Sequence, residues 1–140
     1  GDAQLTLSQR AKLAGAVIVS TPQDLALIDA RKGLNMFRKV NVPLLGIIEN
    51  MSHFLCTECG ARHEIFGNGG AREEAAKLGV PFLGEVPLEM TIRATSDGGT
   101  PIVASQPDSP HADHYRAIAM AVIDTLKRNA PKSGPTIVVE

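Results

Sequence analysis

The chain reads as an α/β protein with a mostly parallel sheet, and three observations predict it. Continuous apolar runs of strand length recur, the kind buried on both faces of a parallel sheet. Amphipathic stretches with cap signals separate them. Strand and helix patterns therefore alternate, which calls for right-handed crossovers and places ligands beyond the carboxyl ends of the strands.

The elements follow in order. Residues 14–20 (AGAVIVS) form the first apolar run. Thr21-Pro22-Gln23-Asp24 then has the form of a capping box, with a hydroxyl N-cap, a proline at the first helical position and a carboxylate near the positive end of the dipole. Leu27, Ala30, Leu34 and Phe37 recur at helical spacing, so this helix runs to about Lys39. Residues 42–49 are the next buried strand. A polar, glycine-bearing loop, 51–70, separates it from a short helix marked by Ala71, Ala75 and Leu78 and ended by Gly79. Residues 80–86 form a third strand, followed by a loop around Pro87. A short apolar run at 101–104 precedes Asp108-Ser109-Pro110. These cap a last amphipathic helix with Tyr115, Ile118, Val122 and Leu126 on one face.

Composition narrows the function classes. The chain has 140 residues, 44% apolar and 21% charged, with a net charge of −1. That balance offers no basic surface for nucleic acid or for a membrane. No run of about 18 apolar residues is present to span a bilayer, and no signal peptide is visible in a chain that opens at Gly1-Asp2.

The most informative motif is Cys56-Thr57-Glu58-Cys59, holding the only 2 cysteines. A closely spaced pair without others to bridge suits a reducing compartment. Such a pair chelates one metal ion or one edge of an iron–sulfur cluster, and neither is complete without further ligands. The remaining ligands come from elsewhere in the chain or from a second copy; otherwise the pair does redox chemistry. His63 sits close enough in C-x-x-C-G-x-x-H to serve a zinc site as a third ligand. At the strand ends, Asn50 offers an amide with both donor and acceptor, suited to reading a base edge. The phosphate-binding signatures G-x-x-x-x-G-K-[ST] and G-x-G-x-x-G are absent from these residues, and Gly67-Asn68-Gly69-Gly70 lacks the lysine.

Taken together, Gly1-Asp2-Ala3-Gln4-Leu5-Thr6-Leu7, Val17-Ile18-Val19-Ser20-Thr21-Pro22-Gln23-Asp24, Gly46-Ile47-Ile48-Glu49-Asn50-Met51-Ser52, Cys56-x-x-Cys59, His63-Glu64-Ile65-Phe66-Gly67 and Gly84-Glu85-Val86-Pro87-Leu88 resemble the C-terminal half of an Mrp/ApbC-type ATPase. These are MinD-like P-loop proteins that carry iron–sulfur clusters. The resemblance extends to about residue 128 and implies a MinD-like, deviant-Walker P-loop NTPase fold whose phosphate loop is not in this chain. Residues 1–130 would be the C-terminal portion of the nucleotide-binding domain, with the cysteine loop at 51–70. Residues 131–140 would be a loosely ordered tail, in which 136–139 (TIVV) could pair at a sheet edge.

The same resemblance implies a homodimer in which Cys56 and Cys59 of two chains bind one [4Fe–4S] cluster and pass it to apo iron–sulfur client proteins. ATP, with magnesium in the full-length protein, would meet Asn50 and the backbone of Pro87, Leu88 and Glu89; Asp2 would close a switch segment. The reading expects a cytoplasmic carrier, with a mitochondrial assembly factor for a respiratory complex as a related alternative in the matrix. A zinc-binding interaction domain, a thiol oxidoreductase and a MinD-like regulator of cell architecture are the rivals. No catalytic residue is expected in this chain, and without a phosphate cradle it should not hydrolyse ATP alone. His53, His111 and His114 read as surface residues. Met36, Met51, Met90 and Met120 read as packing. Arg93 reads as a solvated helix charge.

Overall fold

The computed structural model describes residues 2–130. Helix α1 (Asp2–Arg10) leads into β1 (Ala16–Ser20), then α2 (Asp24–Lys39), β2 (Leu44–Leu55), β3 (Arg62–His63), α3 (Gly70–Leu78), β4 (Phe82–Leu88), α4 (Met90–Asp97), α5 (Ile102–Ser105) and α6 (Pro110–Asn129). Strand β2 is central. It pairs parallel with β1 on one side and with β4 on the other, and β3 pairs antiparallel with its far end at Phe54 and Leu55. The parallel α/β prediction holds, and the added antiparallel strand makes the sheet mixed.

Ile18, Ile47, Leu27, Ala30, Leu34, Ala71 and Ala75 close into one core cluster, so α2 and α3 cover one face of the sheet. Burying Leu34 or Ile47 is worth about 1.5–3 kcal/mol each. Gly84 pairs with Ile48, which points opposite to its neighbour Ile47. A Cβ on Gly84 would lie 2.7 Å from the Ile118 side chain, so α6 packs this second face closely. A partly buried ion pair ties α2 to α3: Arg31 Nε and Nη2, on an exposed side chain, both donate to the buried Glu74 carboxylate, the second at 2.7 Å. This pair holds the Glu74 carboxyl below its usual range.

The helix boundaries at Lys39, Gly79 and Ser109-Pro110 fall where expected. Gly79 is left-handed at φ 66°, and the Ser109 hydroxyl accepts from Ala112 N–H. Other expectations need correction. Helix α2 starts at Asp24 and not at Pro22; the Thr21 hydroxyl donates to Gln23 Oε1 at 3.4 Å and caps nothing. Strand β1 is an edge among the described residues, so Val19 is 60% exposed and only one face of the run is buried. Residues 101–104 belong to a helical turn, α5. Helices α1 and α4 were not foreseen: α1 buries no residue, and α4 is rich in Thr and Ser, poor helix formers. The 136–139 segment lies outside the described residues.

Candidate functional site

The largest correction concerns the cysteine loop. Strand β2 does not stop at Glu49. It bulges and continues to Leu55, so the polar segment is partly sheet. Asn50 faces Val86 and Phe54 faces Leu88, leaving 51–53 on β2 against Pro87 alone on β4. Met51 absorbs the bulge at φ 54°, a left-handed conformation that is costly for a bulky residue. The distortion turns both Ser52 and His53 inward, although simple alternation would expose one of them. His53, expected at the surface, is buried with Nδ1 2.9 Å from the Ser52 hydroxyl. Burial, then the Arg62 charge, holds its pKa below the ordinary value. His111 and His114 are half-buried. Met51, Met90 and Met120 are exposed and do not pack the core.

Beyond the bulge, β2 and β3 form a hairpin that carries both cysteines at its tip. Cys56 N–H donates to Ala61 O at 2.9 Å, and Gly60 N–H returns to Cys56 O at 2.8 Å. Gly60, at φ 71°, makes this tight turn possible. The backbone amides of Cys59 and Glu58, together with the Cys59 thiol, hold the Cys56 thiol below the ordinary range. Both cysteines are free; Cys56 is half-buried and Cys59 exposed.

His63 does not join the cysteines. It sits in register opposite Phe54, with ring centroids 6.4 Å apart. Among the described residues, no three His, Cys, Asp or Glu side chains converge on a common point. The hairpin is thus a two-cysteine clip at the tip of a tight turn.

The strand ends at the base of the hairpin bring the other candidates together. Asn50 is half-buried and its Oδ1 accepts from Met51 N–H at 3.0 Å. That bond commits the carbonyl oxygen and leaves Nδ2 to donate elsewhere. One residue earlier, Glu49 is fully buried and accepts from Ala71 N–H at 2.9 Å, at the N-terminus of α3. Burial raises its carboxyl pKa; the Ala71 bond opposes this, and Glu85 adds to the rise. Sequence reading passed over Glu49, whose signal was a lone carboxylate ending an apolar strand.

Pro87 is buried and Leu88 closes β4. Glu89 caps α4, its Oε1 accepting from Thr91 N–H at 3.5 Å and its backbone carbonyl from Arg93 N–H at 3.2 Å. Leu88 and Glu89 also line a groove of about 250 Å³ with Phe54, Ile65, Met90 and Arg93. Arg93 is exposed and pairs with Asp97 at 3.3 Å, as a solvated helix charge would. A larger cavity of about 880 Å³ runs along β1 and α2, away from the cysteines.

The chain is similar to known proteins in sequence and in fold. Residues 1–123 match the ParA family described as NUBPL iron-transfer P-loop NTPases. The chain belongs to this family. An Arabidopsis thaliana relative, named iron–sulfur protein required for NADH dehydrogenase, mitochondrial, is 54% identical over 127 residues, covering 91% of this chain and 41% of that protein. The iron–sulfur cluster carrier protein of Escherichia coli is 52% identical over 126 residues, covering 90% and 34%. Among solved structures, a nucleotide-binding protein of Archaeoglobus fulgidus in complex with ADP superposes with a TM-score of 0.67 at 39% identity, over 81% of this chain and 45% of that one. The cell division ATPase MinD of Pyrococcus furiosus superposes at 0.61 with 22% identity over 79% and 43%, which supports the MinD-like fold. The chain spans less than half the length of each of these proteins.

Proposed function

We propose that this chain is the cluster-holding and base-reading portion of an iron–sulfur cluster carrier ATPase. Cys56 and Cys59 of two chains supply four thiolates to one [4Fe–4S] cluster, which is then passed to apo client proteins. The observation that carries the reading is the clip itself: two free cysteines at a hairpin tip closed by the Cys56–Ala61 and Gly60–Cys56 backbone bonds, with no third ligand gathered among the described residues. The amides that hold the Cys56 thiol low favour the thiolate that ligates iron. A zinc site completed within one chain would need a further ligand beside the cysteines, and His63 sits opposite Phe54 with ring centroids 6.4 Å apart.

In the same reading ATP lies at the carboxyl ends of β2 and β4, against Asn50 and the backbone of Pro87, Leu88 and Glu89. That the Archaeoglobus protein is in complex with ADP supports nucleotide binding by the full-length protein. Bound magnesium and phosphates would be met by residues outside this sequence, and the nucleotide state would govern the dimer that holds the cluster. The compartment proposed is the cytoplasm. The mitochondrial name of the Arabidopsis relative favours a second reading, an assembly factor serving a respiratory complex in the matrix.

The test is metal content. Reconstitution with ferrous iron and sulfide should load about four irons per dimer. Cys56→Ala or Cys59→Ala removes two of the four ligands and should abolish loading without unfolding the protein. His63→Ala should leave iron nearly intact. A monomer holding one zinc that depends on His63 would overturn the proposal.

A further inference from the structure

His53 has no role in the functional reading so far, and it is the one buried histidine of four. Its neighbour Ser52 is buried too. The Ser52 hydroxyl donates to Val86 O on β4 at 3.3 Å, and His53 Nδ1 lies 2.9 Å from the same hydroxyl. With the hydroxyl proton on the carbonyl, Nδ1 carries a hydrogen and donates to Oγ, so ring, hydroxyl and strand form one chain of bonds. That chain fills a gap in the ladder. Between the Asn50–Val86 and Phe54–Leu88 pairs, β4 offers only Pro87, which has no N–H to give. Beyond the gap, Phe54–Leu88 is the one remaining ladder pair between β2 and β4, and the return strand β3 is 2 residues long. Cys56 follows directly after Leu55, so whatever docks this stretch also places the clip.

We propose that the Ser52–His53 pair is a latch that positions the cysteine hairpin on β4, and that a proton on His53 opens it. The inference rests on the carrier reading only for the cargo: an open latch loosens the hold of Cys56 and Cys59 on a cluster. His53 is a positioning residue and not a ligand, since Nδ1 is spent on Ser52. Its surroundings oppose a charge. Burial comes first, then Arg62 on β3, and His114 on α6 adds to both; Glu85 on β4 and Glu64 next to β3 pull the other way. The balance holds the docked ring below the ordinary imidazole value, so an undocked ring takes up a proton more readily. Docking is therefore at full strength above the ordinary value of about 6.5 and is lost as pH falls from there through the lowered one. The hairpin opens before the domain does, because a single ladder pair ties it to β4 while β2 and β1 pair along the whole of residues 44–49.

The test follows hydrogen exchange by mass spectrometry on the full-length protein, free of iron, between about pH 7.5 and about pH 5. Rates are corrected for the intrinsic pH dependence of exchange. In the parent, protection across 54–63 should fall about tenfold over this range while 44–49 keeps its own. His53→Asn keeps a donor near the Nδ1 position and does not titrate, so its hairpin protection should not change with pH. Ser52→Ala cuts the chain and should leave the hairpin weakly protected throughout. Should either variant fail to melt like the parent, the parent decides alone: the His53 ring resonances must titrate in step with the loss of hairpin protection. After loading with ferrous iron and sulfide, the parent should lose iron to a chelator with a steeper rise towards acid than His53→Asn. Hairpin protection that stays constant while His53 titrates, or that falls equally in His53→Asn, overturns the latch. A parent that binds no iron yet shows the pH-dependent hairpin sinks the carrier reading and upholds the latch.

Discussion

Asn50 offers a way to separate a structural from a functional role, because its two amide atoms face different tasks. The carbonyl oxygen holds Met51 N–H at 3.0 Å, fixing the start of a bulge whose next residue sits at φ 54°. The amide nitrogen is the group proposed to read adenine. Asn50→Ala removes both. The Met51 bond is solvent-accessible, so its loss should cost about 0.5 kcal/mol of stability, the low end for a hydrogen bond. Losing the base contact should cost about 1–3 kcal/mol of ATP affinity, roughly 5- to 150-fold in Kd. Asn50→Asp divides the two effects. It keeps an acceptor for Met51 N–H and so should preserve stability, but it removes the donor. Its added charge repels the triphosphates of ATP and GTP alike, so the informative quantity is their ratio. Titration calorimetry with both nucleotides on the full-length protein, beside denaturant unfolding of each variant, gives all the terms. An ATP-to-GTP preference unchanged in both variants would refute base reading and leave Asn50 as a bulge residue only.

Two further outcomes are expected. The 140-residue chain alone should show no magnesium-dependent, saturable ATP turnover, since its sequence holds no glycine-rich cradle with a lysine; steady-state phosphate release checks this, and turnover above a heat-treated control would refute it. Glu49 has a raised carboxyl pKa in the folded state, so its contribution to stability is fully present below the unfolded value and fades as pH rises through the folded one. Glu49→Gln keeps an acceptor for Ala71 N–H and cannot ionise. Urea midpoints measured from about pH 4 to 8 should therefore fall more steeply with rising pH in the parent than in the variant, and parallel curves would discount the burial of the charge.

What the sequence revealed depended on whether the signal was local. Leu27, Ala30 and Leu34 keep a helical period, Gly79 supplies a left-handed stop, and Ser109-Pro110 caps and starts α6, so these elements were legible from spacing and turn chemistry alone. The continuation of β2 was not. Asn50, Ser52 and His53 look like loop residues, and only the bulge at Met51, a tertiary compromise with β4, allows Ser52 and His53 to be buried in succession. The cysteine pair was visible as chemistry, but not the turn amides that hold the Cys56 thiol low, which depend on backbone geometry. The groove joins Phe54 and Ile65 to Met90, residues distant in the sequence, and no periodicity links them.

Among the described residues the outer edge of β1 is unpaired, with a consequence for handling the molecule. Its outer row of amides and carbonyls is a template for strand addition, and Val19, largely in solvent, supplies the adhesive side chain. Self-association along that edge would be blind to iron and to thiol reagents, whereas assembly at the hairpin tip would dissolve on chelation. Oligomers that survive a chelator therefore report on an open ladder of backbone hydrogen bonds, and should shrink when Val19 is replaced by lysine while the iron-dependent species remains.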